Sequence, residues 1–145
     1  MMINARKMLK ENNLCVLATC NDNLPNSSLM QYLFDDISIK IFMLTLSGSM
    51  KFDNITANPQ VSLLIDTRSD VNHEGSPVMA LTVYGKATIV TDPQKQQALI
   101  EQLVDRNSNL TILARDSRCL VIQMKIEKML LLDGVSDKRT IEILD

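Results

Sequence analysis

The sequence predicts a mainly β chain: a small antiparallel barrel with helices at its periphery. Three observations predict it. Ile37, Ile39, Ile41 and Met43 alternate with Ser38, Lys40, Phe42 and Leu44, and Leu120, Ile122, Met124 and Ile126 repeat the pattern, at the period of two that a pleated strand imposes. Three further stretches, 14–19, 61–66 and 78–90, are largely apolar and are bounded by Asn, Asp, Gly or Pro. Helical spacing is confined to short segments between these runs, so five or six strands dominate, which suits a small closed barrel.

Taken in order, residues 2–12 read as a short helix with Ala5, Met8 and Leu9 on one side and Arg6, Lys7 and Lys10 elsewhere. Residues 14–19 are nearly continuously apolar, as a strand covered on both faces requires. Asn21-Asp22-Asn23 is turn chemistry, because Asn and Asp tolerate left-handed backbone. The next strand spans about 26–34 and turns at Asp35-Asp36 into the alternating strand 37–44, one face of which is strongly apolar. A helix from about Met50 turns Phe52 and Ile55 inward and ends before Pro59, since the residue preceding a proline avoids helical geometry.

Strand 61–66 follows, then a polar loop over 67–77 that holds Gly75 and Pro77. Strand 78–90 contains Gly85, the mark of a bend or of close approach by a ligand. Asp92-Pro93 is a cap-then-proline helix start, and Leu99, Ile100, Leu103 and Val104 give that helix a buried stripe. Residues 107–117 are mixed and read as a second short helix. The last strand covers 120–128 and runs on towards Leu132.

At 145 residues the chain is expected to be one domain, 1–145, burying about two thirds of its unfolded surface. Apolar residues make up 46% and charged residues 22%, an ordinary globular balance. The longest apolar runs, 14–18 and 129–132, are too short to cross a bilayer, and no secretory signal follows Arg6, Lys7 and Lys10, so a cytoplasmic protein is expected. A net charge of −2 with scattered basic residues lacks the stripe that nucleic-acid binding needs.

Cys15, Cys20 and Cys119 are odd in number and lack metal-ligand spacing, so they read as free thiols used as small buried hydrophobes. No His/Cys/carboxylate cluster has the spacing of a metal site. His73 is the only histidine, and beside Glu74 in a polar loop it reads as solvated. No Ser/His/Asp or Cys/His arrangement can be built without it. Asp35-Asp36 is a hairpin turn whose side chains point apart, and the nine methionines are flexible core filler.

The segment with the most chemistry runs from Leu44 to Ile65. It reads as a strand, a small-residue turn, a short helix and a second strand, with Thr45, Ser47, Gly48, Ser49 and Lys51 crowding the point where the helix begins. The first backbone N–H groups of a helix lack internal partners, and the macrodipole adds partial positive charge there. Gly48 lets a ligand approach, Ser49 caps the helix or bonds an oxyanion, and Lys51 adds a full charge, which together suit a phosphate. An ordinary Ser49-capped turn accounts for the same residues without any ligand.

Around this segment the chain resembles the pyridoxamine 5'-phosphate oxidase-like family of FMN-binding split β-barrels. The resemblance rests on Leu17-Ala18-Thr19 before Leu24-Pro25, then Ser27-Ser28-Leu29-Met30-Gln31-Tyr32, Thr45-x-x-Gly48-Ser49-x-Lys51, Asn58-Pro59-x-Val61-Ser62-Leu63-Leu64 and Tyr84-Gly85-Lys86-Ala87, in that order. Arg118-Cys119-Leu120-Val121-Ile122 leading to Leu131-Leu132-Asp133-Gly134 extends it. The family often carries Arg-Lys where this chain has Met50-Lys51, which removes one cation from the phosphate site.

The resemblance sharpens the fold to a split antiparallel β-barrel with peripheral helices. It implies a flavoprotein with FMN at the interface of a homodimer and a small-molecule substrate or electron donor. Thr45, Ser49 and Lys51 would then hold the phosphate. Ser28, Met30 and Tyr32 would lie along the ring, with Lys86 and Arg68 assisting from strand ends. A flavin brings its own redox chemistry, so an oxidoreductase is compatible with a chain that lacks an acid–base constellation. A non-enzymatic module of the same fold, holding FMN, haem, deazaflavin or nothing, is the rival reading.

Overall fold

The computed structural model describes residues 2–68, 78–133 and 137–142. In chain order these form α1 (Met2–Glu11), β1 (Leu14–Asn21), β2 (Leu24–Gln31), β3 (Leu33–Asp35), β4 (Lys40–Leu46), α2 (Met50–Ala57), β5 (Gln60–Asp66), β6 (Met79–Ile89), α3 (Pro93–Arg106), a 3₁₀ turn (Ser108–Leu110), α4 (Thr111–Arg115), β7 (Cys119–Asp133) and β8 (Asp137–Glu142). The strands make one antiparallel sheet in the order β2-β1-β5-β6-β7-β4-β3, with β8 added alongside β7.

Only Tyr32 separates β2 from β3, although these strands are the two ends of the sheet order. The sheet must therefore curl until its ends meet. Beside Tyr32, β2 and β4 come close without pairing, and the barrel is split along that seam. The chain thus has the split antiparallel barrel with peripheral helices that the sequence suggests.

Local chemistry sets most of the elements. Asp22 and Asn23 have φ of 52° and 62°, the left-handed pair that a two-residue hairpin turn between twisted strands needs. Along β1, Cys15, Leu17 and Thr19 face inward and are buried. The inner core is completed by Ala5, Met8 and Leu9 of α1 and by Ile55 of α2. Arg6 and Lys10 of α1 both reach the Asp36 carboxylate, at 2.8 and 2.6 Å, and tie the helix to the β3–β4 turn.

The strand expected over 37–44 begins later, at Lys40. The Asp35 carboxylate accepts from the Ile37 amide at 3.0 Å and from the Ser38 hydroxyl at 2.6 Å, which organises a turn first. Ile37 is left 96% exposed, and Ile39 takes a φ of 56°, an uncommon conformation for a β-branched residue. Within β4 both faces are buried rather than one. Ile41 and Met43 face the inner core, while Phe42 and Leu44 pack outward with Val121 against Leu99 and Leu103 of α3.

Gly85 marks close approach by backbone rather than by ligand. A Cβ there would stand 2.1 Å from the Lys125 carbonyl oxygen, at the register shift between β6 and β7. Strand β8 was not legible in the sequence pattern, which is mostly charged and polar over 137–142. His73, Glu74, Gly75 and Pro77, expected in a solvated loop, lie outside the described residues.

Candidate functional site

Over 45–51 the chain folds as the strand, turn and helix start that its residues suggest. Gly48 turns the chain with a φ of 83°, and a Cβ built there would meet nothing within 4 Å, so the space in front of it is open. Ser49 is the N-cap of α2, and its hydroxyl accepts from the Phe52 amide at 3.2 Å. The hydroxyls of Thr45 and Ser49 are 2.9 Å apart. When Thr45 donates to Ser49, the Ser49 proton is released towards an acceptor outside the pair. Thr45 itself is only 2% exposed, so its main effect is to orient Ser49.

The first-turn amides of Met50 and Lys51 have no intrahelical acceptor. Lys51 makes no ion pair among the described residues. The turn is held from behind, where the Ser47 amide donates to the Arg118 carbonyl at 2.9 Å. An open glycine, a capping hydroxyl and a cation thus follow one another at the start of α2.

Ser49 and Lys51 line a cleft of about 410 Å³ whose other residues include parts of β2 and β4, the strands beside the split of the barrel. Leu29, Met30 and Gln31 of β2 and Leu44, Thr45 and Leu46 of β4 line it. Ser49 and Lys51 stand at the polar end, and Leu14 with Leu110 and Leu113 lines the remainder. Because β2 is an edge strand, its backbone groups on the side away from β1 have no strand partner among the described residues. The arrangement can hold an anion at one end and a flat apolar body along the other.

Of the residues expected to bind a cofactor, the structure brings Met30, Thr45, Ser49 and Lys51 together in this cleft. It does not bring Ser28, Tyr32 or Lys86 there. Ser28 lies further along β2 and accepts from the Asn26 side chain at 3.3 Å. Tyr32 is fully buried, with its hydroxyl donating to the Leu9 carbonyl at 2.8 Å, and burial pushes its phenol well above the usual range. It pins α1 to the seam. Lys86 is exposed on β6, opposite Gln60 and Lys125. Arg68 ion-pairs with Asp66 at 2.8 Å and lines a separate depression on the sheet's outer face.

Met50, at the position where the family often carries arginine, is 64% exposed and does not line the cleft. Burial pushes the Cys15 thiol up to about 12, so it behaves as a small hydrophobe. A larger depression of about 550 Å³ between the β3–β4 turn and α3 contains none of the expected residues. Leu14, Leu110 and Leu113 were missed as lining residues. No local sequence signal marks them, because they meet only through the fold.

Comparison with known proteins agrees with this geometry at the level of family and fold. The profile of the pyridoxamine 5'-phosphate oxidase family matches residues 1–133, and the chain belongs to that family. No curated protein matches it in sequence. Among solved structures, a FAD-binding protein from Mesorhizobium loti aligns with a TM-score of 0.74 at 18% identity, over 90% of this chain and 93% of its own. The General Stress Protein 26 from Bacillus anthracis aligns at 0.74 and 19% identity, over 98% of each chain. A haem-binding protein from Mycobacterium smegmatis aligns at 0.80 and 16% identity, over 95% of this chain but only 56% of its own. At these identities the likeness is one of fold.

Proposed function

We propose that this member of the pyridoxamine 5'-phosphate oxidase family binds FMN in the split of its barrel and uses it in redox chemistry on a small organic molecule or an electron carrier. The observation that carries the proposal is the cleft that places Ser49 and Lys51, at the start of α2, beside an apolar slot. Ser49, Lys51 and the first-turn amides of α2 would hold the phosphate. Leu29 would face one side of the ring, and Leu110 and Leu113 the other, with Met30 backing the slot from the core. Gln31 and the free edge of β2 offer donors and acceptors to the ring's polar rim.

A bound flavin supplies the electron transfer, while the protein binds, orients and shields it. The FAD-binding fold neighbour supports a flavin, and the haem-binding neighbour supports the rival module. Imidazole, a common haem ligand, could come only from His73 in this sequence. The visible spectrum of purified protein, with mass spectrometry of what it releases on denaturation, separates the two. Released FMN supports the proposal, and released haem contradicts it.

The site also suggests a homodimer. Leu14 and Leu29 are 47% and 72% exposed, and they line both the cleft and the depression on the sheet's outer face. Val16 faces Leu29 on β2 and Leu64 on β5, which makes an apolar row beside the cleft mouth. A second copy covering that row would shield the ring. Light scattering should report about twice the chain mass of 16.3 kDa. A monomer that still binds FMN stoichiometrically would contradict the shared site.

A further inference from the structure

The apolar wall of the cleft is carried by a segment that cannot hold itself. The 3₁₀ turn has three residues and α4 has five, and neither has a side-chain cap at its start. Helices so short are not stable alone, so tertiary tethers must fix this wall. Leu110, Leu113 and Ala114 pack on the outer core. The other tether is polar and lies at Asn107, which is 3% exposed.

The Asn107 amide donates to the Leu103 carbonyl at 2.9 Å, and its carbonyl accepts from the Leu110 amide at 3.0 Å. Its side-chain Oδ1 accepts from Asn13 Nδ2 at 2.7 Å. The Asn13 carbonyl in turn accepts from the Tyr32 amide at 3.0 Å. Next door, Arg106 donates to the carbonyls of Lys10 and Asn12 at 2.8 and 3.0 Å. Leu110 is thus bonded to Asn107, Leu14 follows Asn13 and Gln31 precedes Tyr32, so one run of hydrogen bonds links the three cleft residues. Asn107 Nδ2 is buried there without a partner among the described residues, a cost that an apolar side chain in its place would avoid.

We propose that Asn107, held by Asn13, is a positioning residue that sets the separation between the Leu110–Leu113 wall and the Leu14–Leu29 wall, and so the width of the slot for a flat ring. This use of the slot rests on the flavin reading, but the positioning does not. Asn107→Ala should raise amide hydrogen exchange about tenfold over 108–115 in ligand-free protein, leaving β5 and β6 unchanged. Asn13→Ala changes an exposed residue, removes the same bond and should act likewise even if the buried variant fails to fold. Both variants should weaken FMN and riboflavin by one common factor of about three to ten and blur the resolved shoulders of the bound flavin's visible band. Unchanged exchange over 108–115 in a folded variant would overturn the proposal. Raised exchange in a protein that binds no flavin would retain the positioning and discard the flavin reading.

Discussion

The two ends of the cleft are built by different means. Its polar end comes from seven consecutive residues, Thr45 to Lys51, in which a strand end, a left-handed glycine and a capped helix start follow from local chemistry. Its apolar end draws Leu14, Leu29, and Leu110 with Leu113 from three separate segments that meet only when the sheet curls and α3 docks. The polar end should therefore select the charged part of a ligand, while the apolar end should bind any ligand that shares the ring. It also follows that the polar end survives small errors of packing and the apolar end does not.

The largest break in that symmetry should come from Lys51→Ala. A charge-assisted hydrogen bond contributes about 1.5–3 kcal/mol, so FMN should weaken about ten- to a hundred-fold. Riboflavin, which lacks the phosphate, should be unaffected. Flavin fluorescence titration of both ligands reads the difference, and a parallel loss of riboflavin would mean that Lys51 acts on the ring or on the fold.

Truncating the opposite wall should give the complementary result. Leu113→Ala removes partly buried apolar surface worth about 1–2 kcal/mol, which predicts a loss of about five- to thirty-fold for FMN and riboflavin alike. A loss confined to FMN would show that the two ends are not separate. The smallest effect should follow from Met50→Arg. Because residue 50 is exposed, the added cation should strengthen FMN by no more than about fivefold, and the gain should fade as salt is raised.

The same contrast explains how much was legible in the sequence. Strand–turn–helix order over 45–57, the Asp22-Asn23 turn and the Asp92 cap depend on neighbours within a few residues, and the structure has them where the pattern puts them. The family and the split barrel were legible through ordered motifs rather than through any one of them. Tyr32 looked like a ring contact because it continues the Ser28–Met30 face of β2. The curl of the sheet turns that face inward at the seam, where its hydroxyl meets Leu9. Ile37 looked like strand because period-two reading counts side chains and cannot see that Asp35 has already bonded the turn amides. Leu110 and Leu113 sit in a mixed segment with no strong period, and long-range contacts put them at the cleft: packing on the outer core and the bond from Asn13 to Asn107.

On the proposed function, one cleft would recognise a phosphate and a ring with two independent ends. Paired titrations of the wild-type protein with FMN and riboflavin test it most directly. FMN should bind about ten- to a hundred-fold more tightly, with the margin shrinking as salt rises while riboflavin affinity stays constant. Equal affinity for the two ligands would contradict the account, because the helix start at Ser49 and Lys51 would then be an ordinary capped turn.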